Sequence, residues 1–204
     1  MKAIKLIKMG SDLLKQKEVP SYLLDSEILL SKTLRKSREE LLINLDLEIS
    51  QNSYLKFKEY LLRRSKKEPI AYILEEKEFW SKSFNVNKST LIPRPETELL
   101  VNKLLKIFKE KKISILDIGT GSGCIIVSLL NSLKDSFGTG IDISNDAILI
   151  ARKNAIRHNL LNRVKFLNKS LDNIFGNKFD IIVSNPPYIL KKDIKNLSDE
   201  VKRY

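Results

Sequence analysis

The chain has 204 residues, 42% of them apolar and 30% charged, which suits one large domain or two small ones and excludes intrinsic disorder. Its longest apolar runs, residues 181–183 and the stretch around 125–130, fall far short of the roughly 18 residues that span a bilayer, and Lys2, Lys5 and Lys8 interrupt any secretory signal, so a cytoplasmic protein is expected. The net charge of +12 is spread evenly, with 18 Lys+Arg against 13 Asp+Glu in residues 1–88 and 19 against 12 in residues 89–204, so a solvated lysine-rich surface is favoured over a phosphate-gripping stripe.

Ile4, Leu6, Ile7, Leu13 and Leu14 recur at helical spacing, and Ser21 can cap a second helix with the apolar face Leu23, Leu24, Ile28, Leu29 and Leu34. Ser37 and Glu40 have the spacing of a capping box before Leu41, Leu42 and Ile43, and a fourth helix is predicted over about 51–65. Residues 1–67 therefore read as a helical bundle. After Pro69 the pattern changes to Phe79, Trp80, Phe84 and Val86, which suggests a hairpin within a connecting segment, 68–90.

From Glu96 a helix carrying Leu99, Leu100, Leu104 and Phe108 leads into a strand, 113–118, then a glycine loop and a helix from about Gly123. Further strands are expected at 137–143, 164–167 and 179–184, with a helix over 145–158. This alternation predicts an α/β fold: a parallel sheet covered by helices, over residues 91–204, with ligands beyond the carboxyl ends of the strands.

The loop is Asp117-Ile118-Gly119-Thr120-Gly121-Ser122-Gly123. Glycines there allow tight turns and close approach of a ligand to the backbone, with the amides of the next helix pointing at it. The dinucleotide pattern fails, because Cys124 occupies the place of its third glycine, and Walker A fails for want of a Gly-Lys-Ser/Thr. The G-x-G-x-G spacing is the form common in S-adenosylmethionine sites. Asp142 follows Asp117 by 25 residues at the end of the next strand, where an acid can accept hydrogen bonds from ribose hydroxyls. Taken alone it can equally be a charge at a helix N-terminus, a role open also to Ser144 and Asp146. The single cysteine and the single histidine, His158, leave no disulfide and no cluster to hold a zinc ion.

Asn185-Pro186-Pro187-Tyr188 stands at the end of the fourth strand. A planar amide or aromatic amine is a poor nucleophile because its lone pair is delocalised. The Asn185 oxygen and the Pro186 carbonyl can each accept a hydrogen bond from such an NH2 group, aiming its lone pair at a methyl group about 3 Å away, while Tyr188 covers the plane. A Pro-Pro pair that merely ends a strand is the plain alternative.

With Glu68-Pro69-Ile70-Ala71-Tyr72-Ile73-Leu74, Glu78-Phe79-Trp80 and Leu91-Ile92-Pro93-Arg94-Pro95-Glu96-Thr97-Glu98 beside that tetrapeptide, the chain resembles the HemK-type release factor glutamine methyltransferases. The resemblance implies a Rossmann-like methyltransferase domain behind a helical domain that binds release factors. It implies methyl transfer from S-adenosylmethionine to the side-chain amide of the glutamine in the Gly-Gly-Gln motif, modulating translation termination without a membrane or direct nucleic-acid contact. Gly119, Thr120, Gly121, Ser122 and Gly123 would line the methionine end of the cofactor and Asp142 its ribose. Asn185 would touch cofactor and substrate, with Pro186, Pro187 and Tyr188 completing the glutamine pocket. Ser170-Leu171-Asp172 departs from the acid–aromatic pair usual near the adenine, so no adenine contact is assigned.

Only 16 residues follow Tyr188, so about four strands are expected where the family implies seven. Ile181, Ile182 and Val183 are then expected at a poorly buried edge, with a stable helical part, a loose second domain and little activity for this chain alone. Two other readings stay open: an N-methyltransferase acting on an adenine or guanine amine, and a non-catalytic chain that binds a release factor.

Overall fold

In the computed structural model residues 1–173 and 178–186 are described, and they fall into two units that divide between Leu74 and Glu75. The first is built on four helices. Helix α1 (Ala3–Gln16) buries Ala3, Leu6, Ile7, Gly10 and Leu14 on one face. Gly10 permits a close approach, because a Cβ there would lie 2.4 Å from Ser26 Oγ and 2.9 Å from the Phe57 ring. In α2 (Tyr22–Leu34) the buried face is Asp25, Ser26, Leu29 and Leu30. Leu23 and Leu24 are 49% and 44% exposed, contrary to the apolar face expected from periodicity.

The reason is a buried ion pair. Arg64, on α4 (Gln51–Ser65), donates from Nε to Asp25 Oδ2 at 2.6 Å and from Nη1 to the Glu68 carbonyl at 2.9 Å. Ser21, expected to cap α2, stands at the N-cap but sends its hydroxyl to the same Asp25 oxygen, 2.8 Å away. Between these helices, α3 (Arg38–Ile43) opens with the expected capping box: Glu40 N donates to Ser37 Oγ at 3.1 Å and Ser37 N to Glu40 Oε2 at 2.7 Å. A short α5 (Ile70–Leu74) follows Pro69 and buries Ile73 in the same core.

The second unit starts with a hairpin, β1 (Glu76–Phe79) and β2 (Lys82–Asn85), so the segment 68–90 divides between the two units. Both turn residues, Trp80 and Ser81, take the left-handed conformation at φ 52° that a two-residue hairpin loop with the right twist requires. Then come α6 (Glu96–Ile107), β3 (Ser114–Ile118), α7 (Cys124–Ser132), β4 (Phe137–Asp142), α8 (Asn145–Arg157), β5 (Val164–Asn168) and β6 (Ile181–Ser184). The four strands β3 to β6 form one parallel sheet in the order β5-β4-β3-β6.

Helix α7 is buried along most of its length, and its Ile126 side chain fills the space that a Cβ on Gly138 of β4 would need, 2.6 Å away. Arg163 holds the carboxyl end of that helix, donating to the carbonyls of Leu130, Leu133 and Lys134 at 2.7, 3.0 and 2.8 Å. Of these three apolar residues on β6, Ile182 is exposed, at 60%. Val183 is buried, and Ile181 packs against the same core. The expectation of three poorly buried residues is corrected by alternation: pairing with the central strand turns every second side chain inward.

Breaking a buried ion pair strands one charge in an apolar setting, whereas replacing both members does not. Asp25→Ala is expected to lower stability by about 3–5 kcal/mol, and Asp25→Leu combined with Arg64→Met by much less. Urea unfolding of the two variants beside the parent measures the difference.

Candidate active site

The sheet register builds the site. Ile118, the last residue of β3, is paired with Ile141 of β4 on one side and with Ser184 of β6 on the other. Gly119, Asp142 and Asn185 each come one residue later, so the three predicted groups leave the same carboxyl edge of the sheet side by side. Ser184 Oγ fastens the edge by donating to the Ile118 carbonyl at 3.0 Å.

The loop after β3 needs its glycines. Gly119, Gly121 and Gly123 have φ of +67°, +54° and +76°, where a side chain is strained. A Cβ on Gly119 would meet nothing within 4 Å, and one on Gly121 would meet only the Gly119 carbonyl at 3.9 Å, so this side of the loop is open. Gly123 is packed instead, its Cβ position 3.2 Å from that of Ala151 on α8. Thr120 N donates to the Ile141 carbonyl at 2.9 Å, and its hydroxyl donates to Asp117 Oδ2 at 2.7 Å.

Asp117 is 1% exposed beneath the loop, and its Oδ1 has no well-formed hydrogen bond. Burial pushes its pKa up to about 7, against the opposing pull of the Thr120 hydroxyl and of the Ile126 backbone N–H. Burial also pushes the Cys124 thiol up to about 12, so it is no nucleophile near neutral pH.

Asp142 grips the loop from β4. Its Oδ2 accepts from Gly121 N and its Oδ1 from Ser144 N, each at 2.9 Å. The capping role at α8 falls to Ser144, whose hydroxyl accepts from Ala147 N at 3.2 Å. Each Asp142 oxygen therefore keeps lone-pair capacity for a further donor. Asn185 Nδ2 donates to Thr97 Oγ1 at 3.0 Å, Pro186 is exposed, and Pro187 and Tyr188 lie outside the described residues.

One residue that the sequence reading passed over is Asn154 on α8, fully buried with both ends of its amide used. Its Oδ1 accepts from Asn85 N and Nδ2 at 2.7 and 2.9 Å, and its Nδ2 donates to the carbonyls of Asn85 and Ser122 at 2.9 and 2.8 Å. It thereby ties the glycine loop to the hairpin. The signal available was a polar residue at core spacing, in step with Ile148 and Ala151. His158, one turn further, donates from Nε2 to the Ser83 carbonyl at 2.9 Å and packs on Phe84, and burial lowers its pKa.

Comparison with known proteins places this architecture. Residues 5–74 match the family model described as PrmC N-terminal domain, and residues 95–201 match the Methyltransferase small domain. Several relatives are named release factor glutamine methyltransferase. The one from Buchnera aphidicola subsp. Schizaphis graminum is 44% identical over 90% of this chain and 66% of its own length. That from Fusobacterium nucleatum is 41% identical over 94% and 55%, and that from Leptospira interrogans 40% identical over 98% and 71%. The chain belongs to the release factor glutamine methyltransferase family. It spans less than two thirds of the first two of these relatives, and its sheet is the Rossmann-like one of a methyltransferase domain.

Asp117 gives the family's glycine loop a measurable pH signature. Its folded-state pKa is about 7 against an ordinary 3.8, so between those values the folded chain holds a proton that the unfolded chain has lost, and stability falls as pH rises through that window. Melting temperatures of the parent are expected to fall between pH 5 and 8 by roughly 4 °C or more beyond any change in Asp117→Asn, for which this dependence is absent.

Proposed function

We propose that this chain transfers a methyl group from S-adenosylmethionine to the side-chain amide nitrogen of the glutamine in the Gly-Gly-Gln motif of peptide chain release factors, acting in the cytoplasm on translation termination. The observation that carries this reading is the alignment of the open glycine loop, the Asp142 carboxylate and the Asn185 amide at one sheet edge. Family membership narrows the acceptor from amines in general to a protein glutamine. The helical unit, Met1–Leu74, is assigned the docking of the release factor.

The residues present fit the cofactor. Gly119 and Gly121 leave open space where side chains would stand, and Asp142 has acceptor capacity beyond its two backbone partners. Gly119, Thr120, Gly121, Ser122 and Gly123 would hold its methionine end, Asp142 its ribose, and Asn185 would face both cofactor and substrate. When bound, S-adenosylmethionine supplies an electrophilic sulfonium methyl group.

The rest of the chemistry is orientation. A glutamine amide nitrogen shares its lone pair with its carbonyl, and two acceptors on its two N–H bonds pull that pair out of conjugation and fix its direction. Asn185 Oδ1 accepts one N–H and the Pro186 carbonyl the other. Formation of the N–C bond would be matched by cleavage of the methyl–sulfur bond with S-adenosylhomocysteine as the leaving group, and the proton that the nitrogen loses, hydrogen-bonded to one of these oxygens, would pass on to water at the exposed Pro186. Pro187 and Tyr188 are assigned the walls of the pocket.

With Val183 buried and Ile181 packed on the core, the ground for expecting little activity of this chain alone falls away, and incubation of the 204-residue chain with a release factor and labelled S-adenosylmethionine, followed by mass spectrometry of the Gly-Gly-Gln peptide, is expected to find one methyl group on the glutamine. Asn185→Ala is expected to reduce the rate by roughly 10²-fold. Label on DNA or RNA with none on the peptide contradicts the reading, as does equal turnover in Asn185→Ala.

A further inference from the structure

The run Pro93-Arg94-Pro95-Glu96-Thr97-Glu98 opens α6 beside the active site. Its first turn is held on both sides. Thr97 N donates to the Arg94 carbonyl at 3.0 Å, and the Glu98 carboxylate accepts from Trp80 N, at the hairpin turn, at 2.9 Å. Thr97 is 8% exposed, and its hydroxyl oxygen accepts from Asn185 Nδ2 at 3.0 Å, across 88 residues of sequence. Among the described residues Asn185 Oδ1 accepts no hydrogen bond.

A carboxamide has two ends of nearly equal shape and opposite role: one accepts, the other donates twice. A half-turn about the last side-chain bond exchanges them. Methyl transfer to an amide, on which this inference rests, needs the acceptor end towards the substrate NH2. The flipped amide sets N–H against N–H and orients nothing. In the productive orientation Nδ2 also needs an acceptor, because a buried donor left without one loses a hydrogen bond that water would have supplied.

We propose that Thr97 is the positioning residue that fixes which end of the Asn185 amide faces the substrate. Its hydroxyl oxygen accepts the Nδ2 hydrogen bond, so the Oδ1 end is left for the substrate before it arrives. The Pro-Arg-Pro-Glu-Thr-Glu run then has a physical purpose: it delivers one hydroxyl, on a turn braced by Glu98, to the back of the catalytic amide.

Two variants separate this role from packing. Thr97→Val keeps the shape and removes the oxygen, while Thr97→Ser keeps the oxygen and removes the methyl group. With a Gly-Gly-Gln peptide as substrate, Thr97→Val is expected to lower kcat about three- to tenfold with KM for S-adenosylmethionine unchanged, and Thr97→Ser to stay near the parent. A second readout needs no turnover. The side-chain NH2 resonances of Asn185, assigned by their loss in Asn185→Ala, are expected to exchange slowly with solvent in the parent and in Thr97→Ser, and quickly in Thr97→Val. Parent-like turnover and exchange in Thr97→Val overturn the proposal. So does a normal Thr97→Val beside an impaired Thr97→Ser, which marks packing alone, or fast exchange in Thr97→Ser should Thr97→Val not fold. A parent that keeps the slow NH2 exchange but methylates no glutamine counts against the proposed reaction and leaves the Thr97–Asn185 assignment supported.

Discussion

The register of β3 between its two neighbours is the constraint on which the rest of the site depends. Because parallel pairing aligns Ile118 with Ile141 and with Ser184, the chain leaves the sheet at three places in one row, and each departure carries a different chemistry: an open glycine turn, a carboxylate, an amide. A slip of one residue in the pairing of β6 would turn Val183 outward and Ile182 inward, since side chains alternate with period two. The buried Ile115, Leu116, Ile141 and Val183 therefore hold the register that positions the site, and core packing and function share one set of residues.

Below that row the loop is held by buried polar groups that an apolar core would ordinarily avoid. Asp117 is kept in place by the Thr120 hydroxyl, Asp142 grips Gly121 N, and Asn154 joins the Ser122 carbonyl to the hairpin. A loop with glycine at every second position has little side-chain packing of its own to restrain it, and glycine loses more conformational freedom on ordering than any other residue. Fixed hydrogen-bond partners beneath and beside the loop supply the restraint while leaving its outer side open. The hairpin shares in this task through Asn85, with further ties from Ser83 to His158 and from Glu76 to Arg157 at 2.6 Å.

What could be read in the sequence was whatever depends on near neighbours. The capping box at Ser37 and Glu40, the bounds of α4, the alternation of strand and helix and the glycine loop all follow from local spacing. What could not be read depends on partners far along the chain. Leu23 and Leu24 fit an apolar stripe, yet Asp25 is the buried residue because Arg64 neutralises it from 39 positions away. The turn at Trp80 and Ser81 carries none of the glycine or asparagine that marks a hairpin loop, and its first amide is satisfied by Glu98. Asn154 serves Asn85 from 69 positions away, and Thr97 meets Asn185 across 88. Each is a polar residue whose role is visible only once the sheet has brought its partner near.

The central claim is that three strand ends form one cofactor-facing site. It is tested most directly by titrating the labelled 204-residue chain with S-adenosylhomocysteine and following backbone amide shifts by NMR. The account predicts that the amides of Gly119–Gly123, of Ser144 beside Asp142, and of Asn185 move together along one saturating curve, and that the movement is weakened throughout in Asp142→Ala. Shifts confined to residues away from these strand ends, or separate curves for the loop and for Asn185, would contradict it.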